Sequence, residues 1–172
     1  NFDPIKEATA TGASTAATDI AIAVQAAAIQ INTLVSQAAA LLAGAGVSTD
    51  KDAGIDSVYA ALATTLAGTS STATVDLSSS TVISEVISAS ATEAGADATE
   101  TTSIEALATD ASTTISNLNQ AIDDAVTTGG SITTVLTEIT AIQIVAEDVE
   151  AAMETGAGTG DVSGTTTSTE GT

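Results

Sequence analysis

Residues 23–46, "AVQAAAIQINTLVSQAAALLAGAG", carry no charged side chain, although the chain has a formal net charge of -20 at pH 7. A run this apolar crosses a bilayer, forms the spine of a soluble helical bundle, or assembles with copies of itself. Placed on a helical wheel, Val24, Ala28, Ile31, Val35, Ala38 and Leu42 step four and three along one seam. Ile20, Ala27, Leu34 and Leu41 lie beside it, giving an apolar arc of about 140°. Gln25, Gln30, Asn32, Thr33, Ser36 and Gln37 fill the rest of the circumference. A lipid-exposed span would not segregate its polar side chains in this way, so a bundle is expected and membrane insertion is not. Ile22 and Ile29, one heptad apart, sit inside the polar arc and form a candidate interface. Either another helix of the same chain covers them, which makes this the central helix, or they meet another molecule.

The remaining chain supplies partners for such a helix. "NFDPIKEATATG" carries a helix start signal, with Asp3 to cap, Pro4 for the first helical position and Phe2 to pack back as a staple. Gly12 then breaks it. From about residue 14 to about 43 neither Gly nor Pro interrupts, predicting one helix on the order of 45 Å long, stopped by "GAG" at 44–46. A second helix is expected from about 52 to about 67, with Ile55, Val58, Tyr59, Leu62 and Leu66 recurring at three and four. "TSSTATVDLSSS" reads as a polar loop in which Ser79 or Ser80 caps a third helix, roughly 81–93, bearing Val82, Ile83, Val86 and Ile87. A fourth helix, about 102–127, aligns Ile104, Ala108, Ala111, Ile115, Leu118, Ile122 and Ala125 on a heptad seam. "TTGGS" reverses the chain. The fifth, about 131–154, aligns Ile132, Val135, Ile139, Ile142, Ala146, Val149 and Met153, so that the last two read as an antiparallel hairpin. Asn32 and Asn119 fall beside seams, where an Asn is either buried and fixes register or exposed on a flank. The fold class expected is therefore all-α: an antiparallel bundle of roughly five helices over residues 1–154. Residues 155–172, rich in Gly and Thr, are expected to form a flexible linker or tail.

Composition narrows the function classes. Ile, Val, Leu and Phe make up roughly a fifth of the chain, close to the limit below which chains stay disordered. One Phe, one Tyr and no Trp leave an almost wholly aliphatic core. Twenty-two acidic residues face only Lys6 and Lys51, a balance that repels phosphate backbones and anionic headgroups. Nucleic acid is excluded as a partner on that ground. The acids also repel one another unless salt or cations screen them, which fits a salty or calcium-bearing medium. Without Cys or His there is no disulfide framework and no thiolate or imidazole metal site. The chain opens at Asn1 without a basic n-region or signal-type apolar region, and is expected to be an excerpt or processed product whose targeting signal lies elsewhere.

No constellation for catalysis emerges: a hydrolytic triad needs a base, usually His, and the acids sit at helix starts or on polar faces where the dipole and solvent account for them. No catalytic residue and no resident cofactor are expected. The candidate metal site is "STDKDAGIDS", where Asp50, Asp52 and Asp56 offer hard oxygen ligands near a Gly, as calcium prefers. It departs from an EF-hand loop, whose twelfth position needs a carboxylate and here is Ala61; a helix N-terminus with acids favoured by the dipole explains the same residues.

"FDPI" at 2–5, the small-residue break ending at Gly12, and the charge-free run at 23–46 resemble an Ala-rich helical module of giant secreted, acidic, calcium-associated surface proteins of marine bacteria and cyanobacteria. Those proteins combine such segments with RTX-like or cadherin-like repeats. The resemblance covers about a quarter of the chain, and the absence of any "DxDxDG" run keeps calcium ligands from being carried over. It implies a secreted or cell-surface, non-catalytic module of an adhesin-like or matrix protein, whose partners are neighbouring modules or copies of itself. The alternative is a self-assembling subunit of an extracellular filament, sheath or surface layer; a soluble binder of ice or glycans is a third class.

Overall fold

The structure, a computed structural model, describes residues 15–68, 75–128 and 132–164. The expectations placed on residues 1–14, on the Gly-Gly reversal, on the Ile132 side chain and on residues 165–172 lie outside them. Five helices are present among the described residues: α1 (Thr15–Gly44), α2 (Lys51–Gly68), α3 (Ser80–Glu93), α4 (Ala98–Thr128) and α5 (Ile132–Thr159). No strand occurs among those residues, and the all-α bundle read from the periodicity is the fold.

Helix ends follow local chemistry. Asp97 caps α4 through Oδ1, which accepts from the Thr99 and Glu100 amides at 2.7 and 2.9 Å, while Glu100 Oε2 accepts from the Asp97 amide at 2.8 Å. This reciprocal capping box starts the helix several residues before the first apolar seam position, Ile104. At the far end of α5, Gly160 takes a φ of 79°. Its amide donates to Ala157 O (3.1 Å) and the Asp161 amide to Gly156 O (2.9 Å), the two bonds of a Schellman cap.

Helix α1 is the centre. It packs against α2, α4 and α5, while α2–α3, α3–α4 and α4–α5 pack in chain order beside it. Its direction relative to α5 is read from paired contacts along both helices. Ile29 shares a core cluster with Val135 and Ile139, Gln37 Nε2 donates to Ala146 O at 2.6 Å, and Gly44 lies against Glu154. These pairs advance together, so α1 and α5 run parallel. The seam of α4 is buried at every one of its seven positions from Ile104 to Ala125, and Val135, Ile139, Val149 and Met153 of α5 are buried as well. Lys51, the only basic side chain among the described residues, pairs with Glu150 and ties the start of α2 to α5.

Two sequence expectations need correction. The wheel placed Val24 on the core seam and Gln30, Thr33 and Gln37 on a solvated arc. Instead Ile20 and Val24 are 57% and 46% exposed, whereas Gln30, Thr33 and Gln37 are buried. A wheel with one apolar face assumes one neighbour; α1 meets several helices, so part of its polar arc is covered too. The buried amides are bonded accordingly: Gln30 Nε2 donates to Asn119 O (3.1 Å) and to Asp123 Oδ1 (2.8 Å). Helix α1 is long and apolar enough to cross a membrane, and 67% of its most apolar window is buried inside the bundle.

The second correction concerns the start of the tail. Helix α5 runs on to Thr159, Ala157 is buried, and Val162 is 1% exposed within the main core. The glycines there serve close approach. A Cβ on Gly156 would stand 2.5 Å from Asp161 O, and one on Gly158 would stand 3.3 Å from Gly44 O. Glycine composition alone reads as linker, but these glycines allow backbone to meet backbone.

Candidate functional site

The candidate calcium residues are not gathered into a site. Asp50 Oδ1 accepts from the Ala53 amide at 2.9 Å, which makes it the cap of α2. Asp52 and Asp56 are exposed on the first turns of the same helix. Among the described residues no group of three or more carboxylates converges.

The candidate interface pair lies elsewhere than on an outer surface. Ile29 is 6% exposed and belongs to a second core cluster with Ala26, Ile122, Ala125, Val135 and Ile139; Ile22 is half-buried at its edge. The chain itself covers the strip left open on the wheel. Asn119 is fully buried, and its Nδ2 donates to Leu77 O at 2.6 Å. Ser116 Oγ donates to Ser78 O beside it, so α4 clasps the loop that enters α3. Asn32, by contrast, is exposed.

That loop carries a device used twice. In "DLS" (76–78) and "DVS" (161–163), the Asp Oδ1 accepts from the Ser amide at 2.9 Å and from the Ser hydroxyl at 2.6 Å. Each turn points its middle aliphatic residue, Leu77 or Val162, at the core. Hydrogen bonding from the Ser78 side chain first, and from backbone amides next, lowers the Asp76 pKa below its ordinary 3.8; Ser163 does the same for Asp161. A folded-state pKa below the unfolded one favours folding above the unfolded value, and the contribution fades as pH falls through the folded value. Both carboxyls are therefore expected to titrate below 3.8 in a carbon-detected NMR titration. A midpoint at or above that value would show the turns are not formed in solution.

The cavity of consequence is a groove between the C-terminal half of α4 and the N-terminal half of α5, with a volume of about 520 Å³. Leu118, Ala121, Ala125, Ala141, Ile142 and Val145 line it. The alanines end at Cβ, so the space between the larger side chains stays unfilled. Asp124 and Glu138 stand on the lining from opposite helices, and Gln120 Nε2 donates to Asp124 at 3.2 Å. Sequence reading missed this groove. Its signal is the pairing of small residues, Ala121 and Ala125 with Ala141, beside the seams of two neighbouring helices. A second, polar space of about 70 Å³ lies between α1 and α5, with room for about two waters, beside Gln37. Gln37 Oε1, Ser48 Oγ and Asn119 Oδ1 are buried without a hydrogen-bond partner.

Fold and groove together define the class: an all-α aliphatic bundle with an apolar cleft rimmed by carboxylates. No family model, curated protein or solved structure matches the chain.

Proposed function

We propose that this chain is a non-catalytic structural and interaction module of a secreted or cell-surface protein, adhesin-like or part of a matrix. The observation that carries this reading is the division of labour in the bundle. Its acids are spread as caps and solvated charges, while an apolar groove of about 520 Å³ opens between two of its helices. Such a groove suits binding a partner better than turning over a substrate. The acidic balance and the resemblance of residues 2–46 support a location outside the cell.

The alternative, a self-assembling subunit of a filament, sheath or surface layer, would draw on the exposed apolar side chains Ile20, Val24 and Ile144. Sedimentation velocity of the purified chain, with and without calcium, separates the two. A monomer under all conditions is expected; assemblies that grow with concentration would favour the polymer. Melting temperature is expected to rise with sodium chloride as the Debye length shrinks from about 30 Å at 0.01 M to about 3 Å at 1 M. If neither salt nor calcium moves it, the screened-acid premise behind the extracellular reading fails.

A further inference from the structure

We infer that the α4–α5 groove receives an amphipathic helix of a partner protein, with an aliphatic face and Lys or Arg at its flanks. The inference rests on the reading of the chain as an interaction module and names the chemistry of its partner. Length comes first. The lining runs from Asn117 to Thr128 on α4 and from Glu138 to Val145 on α5, a track of about 16 Å, or roughly three helical turns. Backbone chemistry decides the form of the occupant. Both walls are helices whose amides and carbonyls are already paired within themselves, so an extended peptide would lie there with its own backbone groups unsatisfied. A helix brings its hydrogen bonds with it and offers side chains at the i, i+3, i+4, i+7 spacing such a groove accepts.

Charge decides the identity of the flanks. Asp124 and Glu138 stand on opposite walls, and among the described residues no Lys or Arg lines the groove. Fatty acids and anionic lipids meet repulsion at that rim. A second copy of the chain meets it too, because each copy has a formal net charge of -20 and only two basic residues. A helix with basic flanks places cations beside both carboxylates and seats aliphatic side chains against Leu118, Ile142 and Val145.

The test uses the full chain and a synthetic amidated helix of about 16 residues, with a Leu/Ala face and Lys at both ends. Two control peptides accompany it: one of the same composition with Leu scattered around the helix, and one with Glu in place of Lys. Fluorescence anisotropy should show saturable binding of the first peptide and at least about tenfold weaker binding of both controls. Amide shifts should concentrate at Leu118, Ala121, Ala141 and Val145. Ala141→Trp, at an exposed position, should fill the groove and weaken binding about tenfold without changing the melting temperature. Asp124→Asn with Glu138→Gln should flatten the salt dependence of binding. Equal binding of the scattered peptide would overturn the proposal by reducing the interaction to bulk charge. Shifts centred on Ile20 and Val24, or full affinity in the Ala141→Trp protein, would overturn it by moving the site. A dimer abolished by Ala141→Trp would assign the groove to a second copy instead. A monomer that binds none of the peptides sinks this inference alone, whereas a chain that polymerises sinks the module reading beneath it.

Discussion

Gly44→Ala is expected to destabilise the fold by about 3 kcal/mol or more, lowering the melting temperature by roughly 10 °C. The reason is where α1 meets α5. A Cβ on Gly44 would lie 2.0 Å from Glu154 O, 2.8 Å from its carbonyl carbon and 2.9 Å from its Cα. Every one of these atoms is backbone, so no rotamer change relieves the clash and the two helices must move apart. Because α1 and α5 run parallel, a shift at Gly44 propagates to Gly158, whose own Cβ would meet Gly44 O at 3.3 Å. Gly68→Ala is the matched control, since a Cβ at the end of α2 meets nothing within 4 Å. It should be neutral or stabilising by about 0.4–1 kcal/mol, through a less flexible unfolded chain. Urea denaturation of both variants measures the difference. A loss below about 1 kcal/mol for Gly44→Ala would mean the helices do not cross this closely.

The same contact shows what the sequence made legible and what it hid. The α4 seam is readable because its alternating four and three spacing faces a continuous aliphatic neighbourhood, although Ser112, Thr114 and Asn119 beside it are buried as well. Helix α1 defeated the same method: Gln30 and Gln37 look like solvent-facing residues until α4 and α5 supply the acceptors that bury them. None of the three acceptors, Asn119 O, Asp123 Oδ1 and Ala146 O, is visible in local periodicity, since each lies across a long sequence separation. The end of α5 was hidden for another reason. Gly156, Gly158 and Gly160 look alike by composition, yet two sit inside a helix where backbones approach, and one closes it with a left-handed cap. Val162 was the available signal: a lone aliphatic residue between Asp and Ser repeats the pattern of Leu77. The groove was hidden most completely, because an absence of side-chain volume between two helices is a property of the pair.

Electrostatics links the fold to its proposed use. With Lys51 engaged by Glu150, the described surface presents acids without basic neighbours, and self-repulsion opposes compaction at low salt. The core resists through aliphatic packing and through amides that bridge α1 to α4 and α5. Such a bundle tolerates a basic partner at its rim and disfavours its own copies there.

Ile29→Glu is expected to unfold the chain, costing about 3–5 kcal/mol. Ile29 is 6% exposed among Ala26, Ile122, Ala125, Val135 and Ile139, so the new carboxylate would enter an apolar cluster. Among the described residues no cation is placed to receive it: Lys51 is held at Glu150, and Asp123, bonded to Gln30 near this end of α1, is a like charge. Ile29→Val removes one methyl at the same place and should cost only about 0.5–1.5 kcal/mol. Ile144→Glu, at a side chain 60% exposed on α5, should change stability by no more than about 0.5 kcal/mol. Circular dichroism melts of the three variants, paired with sedimentation of each, read the outcome. If Ile29→Glu instead melts near the parent temperature while abolishing an assembly the parent forms, the strip at Ile22 and Ile29 is a contact between molecules. Loss of the helical signal in Ile29→Glu, beside an unperturbed Ile144→Glu, places the strip inside the bundle. The exposed apolar side chains Ile20, Val24, Tyr59, Leu66 and Ile144, together with the α4–α5 groove, are then the described surfaces on which assembly would draw.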